Sequence, residues 1–303
     1  MNKQVDWKTI ERDAKENLAG LIFDCEQYFD NQIDAVAKGI YDAENVRVIM
    51  IAGPSSSGKT TFSKMLSDRL QHYGIKTHYI GMDDFFIDRE KVPFLPSGVR
   101  DYDSLRALDM PLLNKVIKSI LHSEQISIPE YDFIEGKRKK EFKELTLFPE
   151  DLVIIEGIHA LNPILINDFD SSRIVKVVIR PQRSFVMPSG IVLEPEELRL
   201  LRRTIRDYYT RGHSIDATAK QWNEVRRAED KYITPYLTTA DYNVDSAHEY
   251  ELFLYKEYLG TILKDTTNTY YTNIRNAFLE ISDTPIGDIP ETSLLTEFAV
   301  KLR

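Results

Sequence analysis

Cysteine is almost absent from this 303-residue chain, which contains only Cys25. A single cysteine excludes an intrachain disulfide and any metal site built from several thiolates. Glycine and proline are also sparse, at 13 each, and the chain shows no internal repeat or low-complexity linker. With 42% hydrophobic residues, the composition is that of a globular protein with a sizeable core.

Excess positive charge and long apolar runs are missing as well. The formal net charge is −9, which argues against nucleic acid as a partner because binding to a phosphate backbone needs a positive field. No run approaches the roughly eighteen apolar residues of a membrane-spanning helix, so we predict no membrane partner. The first residues, MNKQVDWKTIERDAKENL, lack the apolar core of a signal peptide. These absences favour a cytoplasmic protein.

Short apolar runs alternate with helical patterns along most of the chain. This alternation predicts an α/β fold with a parallel sheet covered on both faces. Residues 126–148 are predicted to form a β-hairpin with a solvated basic tip at 137–140. Strands are predicted at 46–52, 75–80, 152–155, 174–179 and 242–244. One or two helices are predicted at 7–43, and further helices at 58–73, 109–122, 194–211 and 215–229. Another helix follows the last strand and ends at about 263, and two short helices are predicted around 271–281 and 291–300.

The string GPSSSGKT at residues 53–60 fits the pattern G-x-x-x-x-G-K-[ST] between a predicted strand and a predicted helix. Its glycines allow a tight turn that brings backbone N–H groups close to phosphates, and the helix N-terminus favours negative charge. Lys59 is suited to the β- and γ-phosphates, and the Thr60 hydroxyl to Mg²⁺. We therefore predict that ATP and Mg²⁺ bind to this P-loop, through Gly53, Ser55, Ser56, Ser57, Gly58, Lys59, Thr60 and Thr61.

A P-loop predicts the cofactor rather than the reaction, because GTPases, motors and ATPases also contain one. GTPases usually carry an N-K-x-D element that reads guanine. The nearest string here is NKVI at 114–117, which lacks the aspartate and lies in a predicted helix. This counts against a GTPase, although the choice between ATP and GTP as phosphate donor stays open.

Carboxylates follow two of the predicted strands. Glu156 ends an apolar strand, where P-loop folds place an acid near Mg²⁺; its alternative role is to cap the next turn. Asp83 and Asp84 follow another strand, and either could accept the proton of an attacking hydroxyl. The alternative for this pair is a turn in which both side chains bond to the local backbone.

Arginines recur at helical spacing in the predicted helix 194–211. Arg199, Arg202, Arg203 and Arg206 lie at positions i, i+3, i+4 and i+7, which predicts one shared face, and Arg211 follows. Such a face could form a lid that stabilises charge on a transferring phosphoryl group. Alternatively, it is a solvated face paired to Glu196 and Glu197.

Together these strings resemble the uridine kinase and phosphoribulokinase family of P-loop kinases, and most of all the bacterial nucleoside kinases related to uridine kinase. The resemblance implies a P-loop NTPase three-layer α/β sandwich with a parallel sheet, an inserted β-hairpin and a helical lid. The matching strings are GPSSSGKTTF (53–62), GMDDFF (81–86), DYDSLRALD (101–109), IPEYDF (128–133), IIEGIHALNP (154–163), RLLRRTIRDYYTRG (199–212) and IPETSLLTEF (289–298).

The resemblance also implies roles for individual residues. Asp83 corresponds to the general base, with Asp84 as its neighbour. Asp103 corresponds to the carboxylate that holds the ribose hydroxyls of the acceptor. The remaining assignments are Tyr131 and Phe86 in the base pocket, Arg203 and Gln221 near the acceptor, and Arg206 and Arg211 in the lid over the phosphates, with Thr60 and Glu156 near the metal.

Two positions depart from the uridine kinase pattern. Where uridine kinases have a histidine that reads the pyrimidine edge, this chain has Gly136, and where they have a second pyrimidine-site arginine it has His213. The resemblance thus implies an ATP-dependent kinase of a primary hydroxyl, the 5′-hydroxyl of a nucleoside such as uridine or cytidine. The alternatives are a kinase of a non-nucleoside sugar or sugar phosphate, and a non-catalytic ATP-binding regulatory module.

The resulting division has a helical segment at 1–44, a P-loop kinase domain at 45–265 and a C-terminal helical extension at 266–303. The first segment carries an apolar stripe from Leu18 to Ile40. This stripe either packs on the protein's own core or forms an interface in a homo-oligomer.

Overall fold

The computed structural model describes residues 3–95, 98–122, 125–166 and 169–298. A parallel five-stranded sheet forms its centre, with strand order β3-β8-β2-β9-β12. The strands are β1 (Lys3–Asp6), β2 (Val48–Ala52), β3 (Thr77–Gly81), β4 (Gln125–Ile128), β5 (Tyr131–Asp132), β6 (Lys137–Arg138), β7 (Lys143–Thr146), β8 (Leu152–Glu156), β9 (Ile174–Arg180), β10 (Arg183–Val186), β11 (Val192–Leu193) and β12 (Tyr242–Asp245).

Helices cover both faces of this sheet. Along β2, Ile49 and Ile51 belong to one apolar core, whereas Val48 and Met50 belong to the core on the opposite face. Every residue of β2 is buried, which explains its uninterrupted apolar sequence. The predicted three-layer parallel α/β fold is therefore confirmed. The helices are α1 (Trp7–Asp42), α2 (Lys59–His72), α3 (Met110–His122), α4 (Pro163–Ile166), α5 (Pro195–Arg211), α6 (Ile215–Tyr232), α7 (Glu251–Leu263) and α8 (Thr272–Glu280).

The apolar stripe of α1 packs against the protein's own core. Phe29, Ile33 and Ile40 are buried in the same cluster as Phe62 and Leu66 of α2. The helix has a kink at Asn17, whose backbone is non-helical and whose side chain accepts a hydrogen bond from the Gly20 N–H (3.0 Å). Among the described residues, no helix is long and apolar enough to cross a membrane.

The predicted hairpin is confirmed, but its turn lies elsewhere. Strands β4 and β7 pair antiparallel, and the shorter pair β5–β6 extends them. The basic residues lie at the start of the returning strand rather than at the tip, and two of them are paired: Arg138 with Asp109 (3.0 Å) and Lys139 with Glu130. The solvated basic tip predicted from the sequence is therefore wrong in position.

Two other segments differ from the sequence-based prediction. Strands β10 and β11 form a small sheet with β1, which pairs parallel to β10, although the sequence showed no recognisable pattern there. The helix predicted around 291–300 is wrong for its described part, which contains a single 3-10 turn at Leu294–Glu297. Residues 299 and 300 lie outside the described residues.

Candidate active site

The P-loop connects the buried strand β2 to α2 through backbone conformations that favour glycine. Gly58 has φ of +90°, and a Cβ on Gly53 would lie 2.2 Å from the Ile179 carbonyl oxygen. The hydroxyls of Ser56 and Ser57 are buried, and no residue in the described part of the chain is their hydrogen-bond partner. Unpaired buried hydroxyls are costly, so their presence beside a helix N-terminus fits a phosphate that would supply the missing partner.

A buried ion pair anchors the first half of this loop. The Arg199 guanidinium donates two hydrogen bonds to the Glu229 carboxylate, at 2.5 and 2.7 Å, and a third to the Ser55 carbonyl oxygen at 3.1 Å. Glu229 in turn accepts from the Ser55 N–H at 3.1 Å. Helices α5 and α6 therefore hold the loop in place.

Oxygen donors suited to Mg²⁺ lie at the end of β8. The Thr60 hydroxyl donates to a Glu156 carboxylate oxygen at 3.1 Å, and the Tyr79 hydroxyl donates to the same oxygen at 2.7 Å. The Lys59 ammonium lies 3.9 Å from the other Glu156 oxygen. One carboxylate and one hydroxyl fit a cation that takes its other ligands from phosphate and water. The described residues contain no cluster of three or more acidic, histidine or cysteine ligands.

The structure separates the two neighbouring aspartates. Asp84 turns toward the hairpin and accepts a hydrogen bond from the Tyr131 N–H (3.3 Å). Asp83 instead lines the same cavity as the P-loop, and its surface is exposed to the solvent there. Enclosure by protein, followed by the Glu156 charge, raises the pKa of the Asp83 carboxyl to about 6.

A cavity of about 440 Å³ joins most of the predicted residues. Four of them lie just outside its lining: Gly53, Thr61, Tyr131 and Gln221. The lining comprises Ser55, Ser56, Ser57, Gly58, Lys59, Thr60, Met82, Asp83, Phe86, Tyr102, Asp103, Leu108, Glu156, Gly157, Ile158, His159, Arg203, Arg206, Arg211 and Glu297. The predicted triphosphate, metal and acceptor residues thus surround one space.

The aromatic rings of Phe86 and Tyr102 line the cavity together with Asp103, and we call this part of the cavity its acceptor end. Phe86 contacts Tyr102 and Tyr131 edge to face, with ring centroids 5.5 and 5.7 Å apart, and Tyr131 contacts Phe133 in the same way at 5.2 Å. Burial raises the pKa of the Asp103 carboxyl to about 6, although the nearby Arg203 favours its charged form. This end combines apolar area with a single carboxylate.

The predicted arginine face of α5 is wrong for Arg202, whereas Arg199 and Arg203 both reach Ser55 of the P-loop. Arg202 is fully buried and paired with Glu251 at 2.8 Å, on the side of the helix that faces the core. Arg199 is also buried, but it donates a hydrogen bond to the Ser55 carbonyl oxygen of the P-loop. The solvated face paired to Glu196 and Glu197 is not observed either, because the ion pair recorded for Glu196 joins it to Arg226 of α6.

The other three arginines line the cavity around one buried carboxylate. Asp207 lies 3.3 Å from Arg203, 3.4 Å from Arg206 and 3.0 Å from Arg211. Arg203 also donates to the Ser55 hydroxyl at 3.0 Å and to the Gln221 side-chain oxygen at 3.2 Å. The Asp207 carboxylate therefore holds Arg203, Arg206 and Arg211 together as a positively charged cluster beside the P-loop.

The C-terminal segment closes over the start of α2. Glu297 accepts hydrogen bonds from the Thr61 hydroxyl (2.7 Å) and the Thr61 N–H (3.4 Å). A Cβ on Gly58 would lie 2.5 Å from Leu294 Cδ1. The Glu297 carboxylate thus accepts hydrogen bonds from Thr61, a residue that the sequence predicts to bind the triphosphate.

Gly136, one of the two departures from the uridine kinase pattern, has a structural cause. Its φ is +69°, and a Cβ there would lie 2.4 Å from Arg89 Nε. Arg89 holds the hairpin turn in place through two hydrogen bonds. Its guanidinium donates to the Phe133 carbonyl oxygen (2.6 Å), and its backbone N–H donates to the Gly136 carbonyl oxygen (2.8 Å). The turn has no room for a histidine side chain at this position.

We expect Gly136→His to loosen this hairpin rather than create a reader of pyrimidines. A side chain at positive φ costs about 1 kcal/mol or more, and the clash with Arg89 adds to it. Limited proteolysis should cut the hairpin at 133–136 faster in Gly136→His than in Gly136→Asn, which tolerates positive φ better. Equal cleavage rates would contradict the steric argument.

Several residues of the site were missed by sequence reasoning: Tyr79, His159, Asp207, Glu229 and Glu297. Asp207 had a usable signal, because it lies four residues after Arg203 and four before Arg211. Glu229 and Glu297 reach the P-loop from distant parts of the chain, and no local pattern indicates such contacts. The His159 and Tyr79 contacts likewise depend on packing.

Comparison with known proteins indicates the family to which this chain belongs. A family model described as the phosphoribulokinase/uridine kinase family matches residues 48–252. The chain is 29% identical over 223 residues to the uridine kinase of Lactobacillus helveticus, across 73% of this chain and 95% of that protein. It is 33% identical over 180 residues to the uridine kinase of Mycoplasma genitalium, across 59% of this chain and 74% of that protein.

Solved structures share the fold at lower identity. A possible uridine kinase from Bacillus stearothermophilus superposes with a TM-score of 0.50 at 22% identity, covering 71% of this chain and 98% of that one. A candidate fructose transport system kinase from Silicibacter superposes with a TM-score of 0.51 at 18% identity, covering 70% and 98%. These similarities concern the architecture of the parallel sheet.

Proposed function

Because this chain is a kinase of the phosphoribulokinase/uridine kinase family, we propose that it transfers the γ-phosphate of ATP to the 5′-hydroxyl of a nucleoside. The cavity supports this proposal because its lining combines P-loop donors with Asp103 and the aromatic rings of Phe86 and Tyr102. Flat rings offer stacking surface to a base, and a carboxylate accepts hydrogen bonds from sugar hydroxyls.

Each residue then has a defined role. The P-loop N–H groups and Lys59 bind the phosphates. Thr60 and Glu156 would hold Mg²⁺, which would neutralise negative charge on the bound phosphates. Asp83 accepts the proton of the acceptor hydroxyl as its oxygen bonds to the γ-phosphorus and the bond to the β–γ bridging oxygen breaks, releasing ADP. Arg206 and Arg211 stabilise the charge on the transferring group.

An ATP-consumption screen tests this function directly. The purified protein is assayed with uridine, cytidine, adenosine and guanosine, with fructose and ribulose 5-phosphate, and with GTP in place of ATP. Phosphorylation of at least one nucleoside is the expected result. Transfer only to a sugar or sugar phosphate would replace the nucleoside acceptor, and binding of ATP without transfer to any acceptor would indicate a regulatory module.

We expect activity to fall as the pH drops toward the raised pKa of the catalytic carboxylates. Asp83 must be ionised to accept a proton, and Asp103 must be ionised to hold hydroxyls, so activity is present above about pH 6 and lost below it. The inflection in kcat/KM for the acceptor is therefore expected near pH 6. A kcat/KM profile for the acceptor that stays flat down to pH 4.5 would contradict this.

A further inference from the structure

His159 is a buried imidazole that the mechanism above does not use. It follows β8 three residues after Glu156, lines the cavity, and is 2% exposed. Among the described residues, no group meets full hydrogen-bond geometry with either ring nitrogen. The backbone beside it is fixed, because the His159 carbonyl oxygen accepts from the Asn162 N–H (2.8 Å).

An imidazole in this state costs folding free energy. Burying a polar group without a partner is unfavourable, and native proteins mostly avoid it. Burial also lowers the pKa of His159 to about 4, so the ring stays neutral at physiological pH. A neutral imidazole offers one N–H donor and one acceptor nitrogen.

The surroundings place this ring at the acceptor end of the cavity. On one side it contacts the Tyr232 ring edge to face, at 5.1 Å between centroids. The Tyr232 hydroxyl lies 3.4 Å from the Ser104 hydroxyl, next to Asp103 in the chain. The Asp103 backbone lies close enough to His159 to raise the pKa of the ring slightly, without meeting hydrogen-bond geometry.

We propose that His159 is a specificity-determining residue that hydrogen-bonds a secondary hydroxyl of the acceptor sugar, beside the hydroxyl held by Asp103. The inference rests on the proposed function, because it assumes that the acceptor binds between Asp83 and the aromatic rings. An acceptor hydroxyl supplies the donor or acceptor that the ring lacks in the free protein. The site thereby selects a polyol, and an acceptor without that hydroxyl leaves the imidazole buried and unpaired.

Deoxy acceptors test this assignment. The acceptor found in the screen is compared with its 2′-deoxy and 3′-deoxy analogues, or with the matching deoxy sugar if the acceptor is not a nucleoside, in wild type, His159→Leu, His159→Asn and His159→Gln. Wild type should prefer the parent over one analogue by about tenfold or more in kcat/KM. His159→Leu, similar in volume but unable to hydrogen-bond, should reduce that preference to about threefold or less and raise the acceptor KM, leaving the KM for ATP within about twofold.

The amide variants and the preference ratio separate recognition from packing. Asparagine or glutamine keeps one donor and one acceptor, so at least one of them should restore part of the preference. A structural role would change the rates with parent and analogue equally and leave their ratio unchanged, which would overturn the proposal even if activity fell. Wild type that shows no preference would overturn it too. Wild type that phosphorylates nothing would instead remove the proposed function.

Discussion

Asp83→Asn is expected to lower kcat by about 10²–10⁴-fold while changing ATP affinity by no more than about twofold. The amide has nearly the same shape as the carboxylate but cannot accept the proton of the attacking hydroxyl. Asp83 faces the cavity and is not among the P-loop groups that hold the phosphates, so donor binding should persist. Steady-state kinetics with saturating acceptor, and equilibrium titration with a nucleotide analogue, measure the two quantities separately.

Asp84→Asn provides the matched control. It makes the same change one residue away, where the side chain accepts a hydrogen bond from the Tyr131 N–H (3.3 Å). The amide oxygen can still accept this bond, so we expect less than about a tenfold loss in kcat. If Asp84→Asn were the more damaging variant, or if Asp83→Asn behaved like wild type, the assignment of the base would be wrong.

The donor end of this site could be predicted because its determinants are local in sequence. The P-loop has a fixed residue pattern between a buried strand and a helix, and Glu156 ends an apolar run. Parallel strands present their carboxyl ends at one edge, so the sheet itself brings these segments together. The structure adds the contacts between them, such as the hydrogen bond of 3.1 Å from Thr60 to Glu156.

The acceptor end could not be predicted to the same depth. From residue types alone, Asp83 and Asp84 were equivalent, and only tertiary packing turns one to the cavity and the other to the hairpin. Helical spacing placed Arg202 on the same face as the arginines that line the cavity. Residues three or four apart span a wide arc of the helix surface, however, and Arg202 pairs with Glu251 in the core. Long-range partners decided each case.

Asp207→Asn is expected to destabilise the protein by several kcal/mol, on the order of a typical broken buried ion pair. Its carboxylate is fully buried and lies within 3.4 Å of Arg203, Arg206 and Arg211. Losing one partner of a buried ion pair costs about 3–5 kcal/mol, and because Arg211 is half exposed and can be solvated, we expect the lower end, about 3 kcal/mol. Chemical denaturation monitored by circular dichroism measures this loss in the free energy of unfolding.

Glu196→Gln is the control for this change. Glu196 lies on the same helix and pairs with Arg226 at 3.1 Å, but both side chains are about a third exposed, so its loss should cost less than about 1 kcal/mol. Added ATP should raise the melting temperature of Asp207→Asn by more than that of wild type, because its phosphates supply the anion that the arginines have lost. Equal ATP-induced shifts in the two proteins would mean that these arginines do not meet the phosphates, and Arg206 and Arg211 would then lose their role over the transferring group.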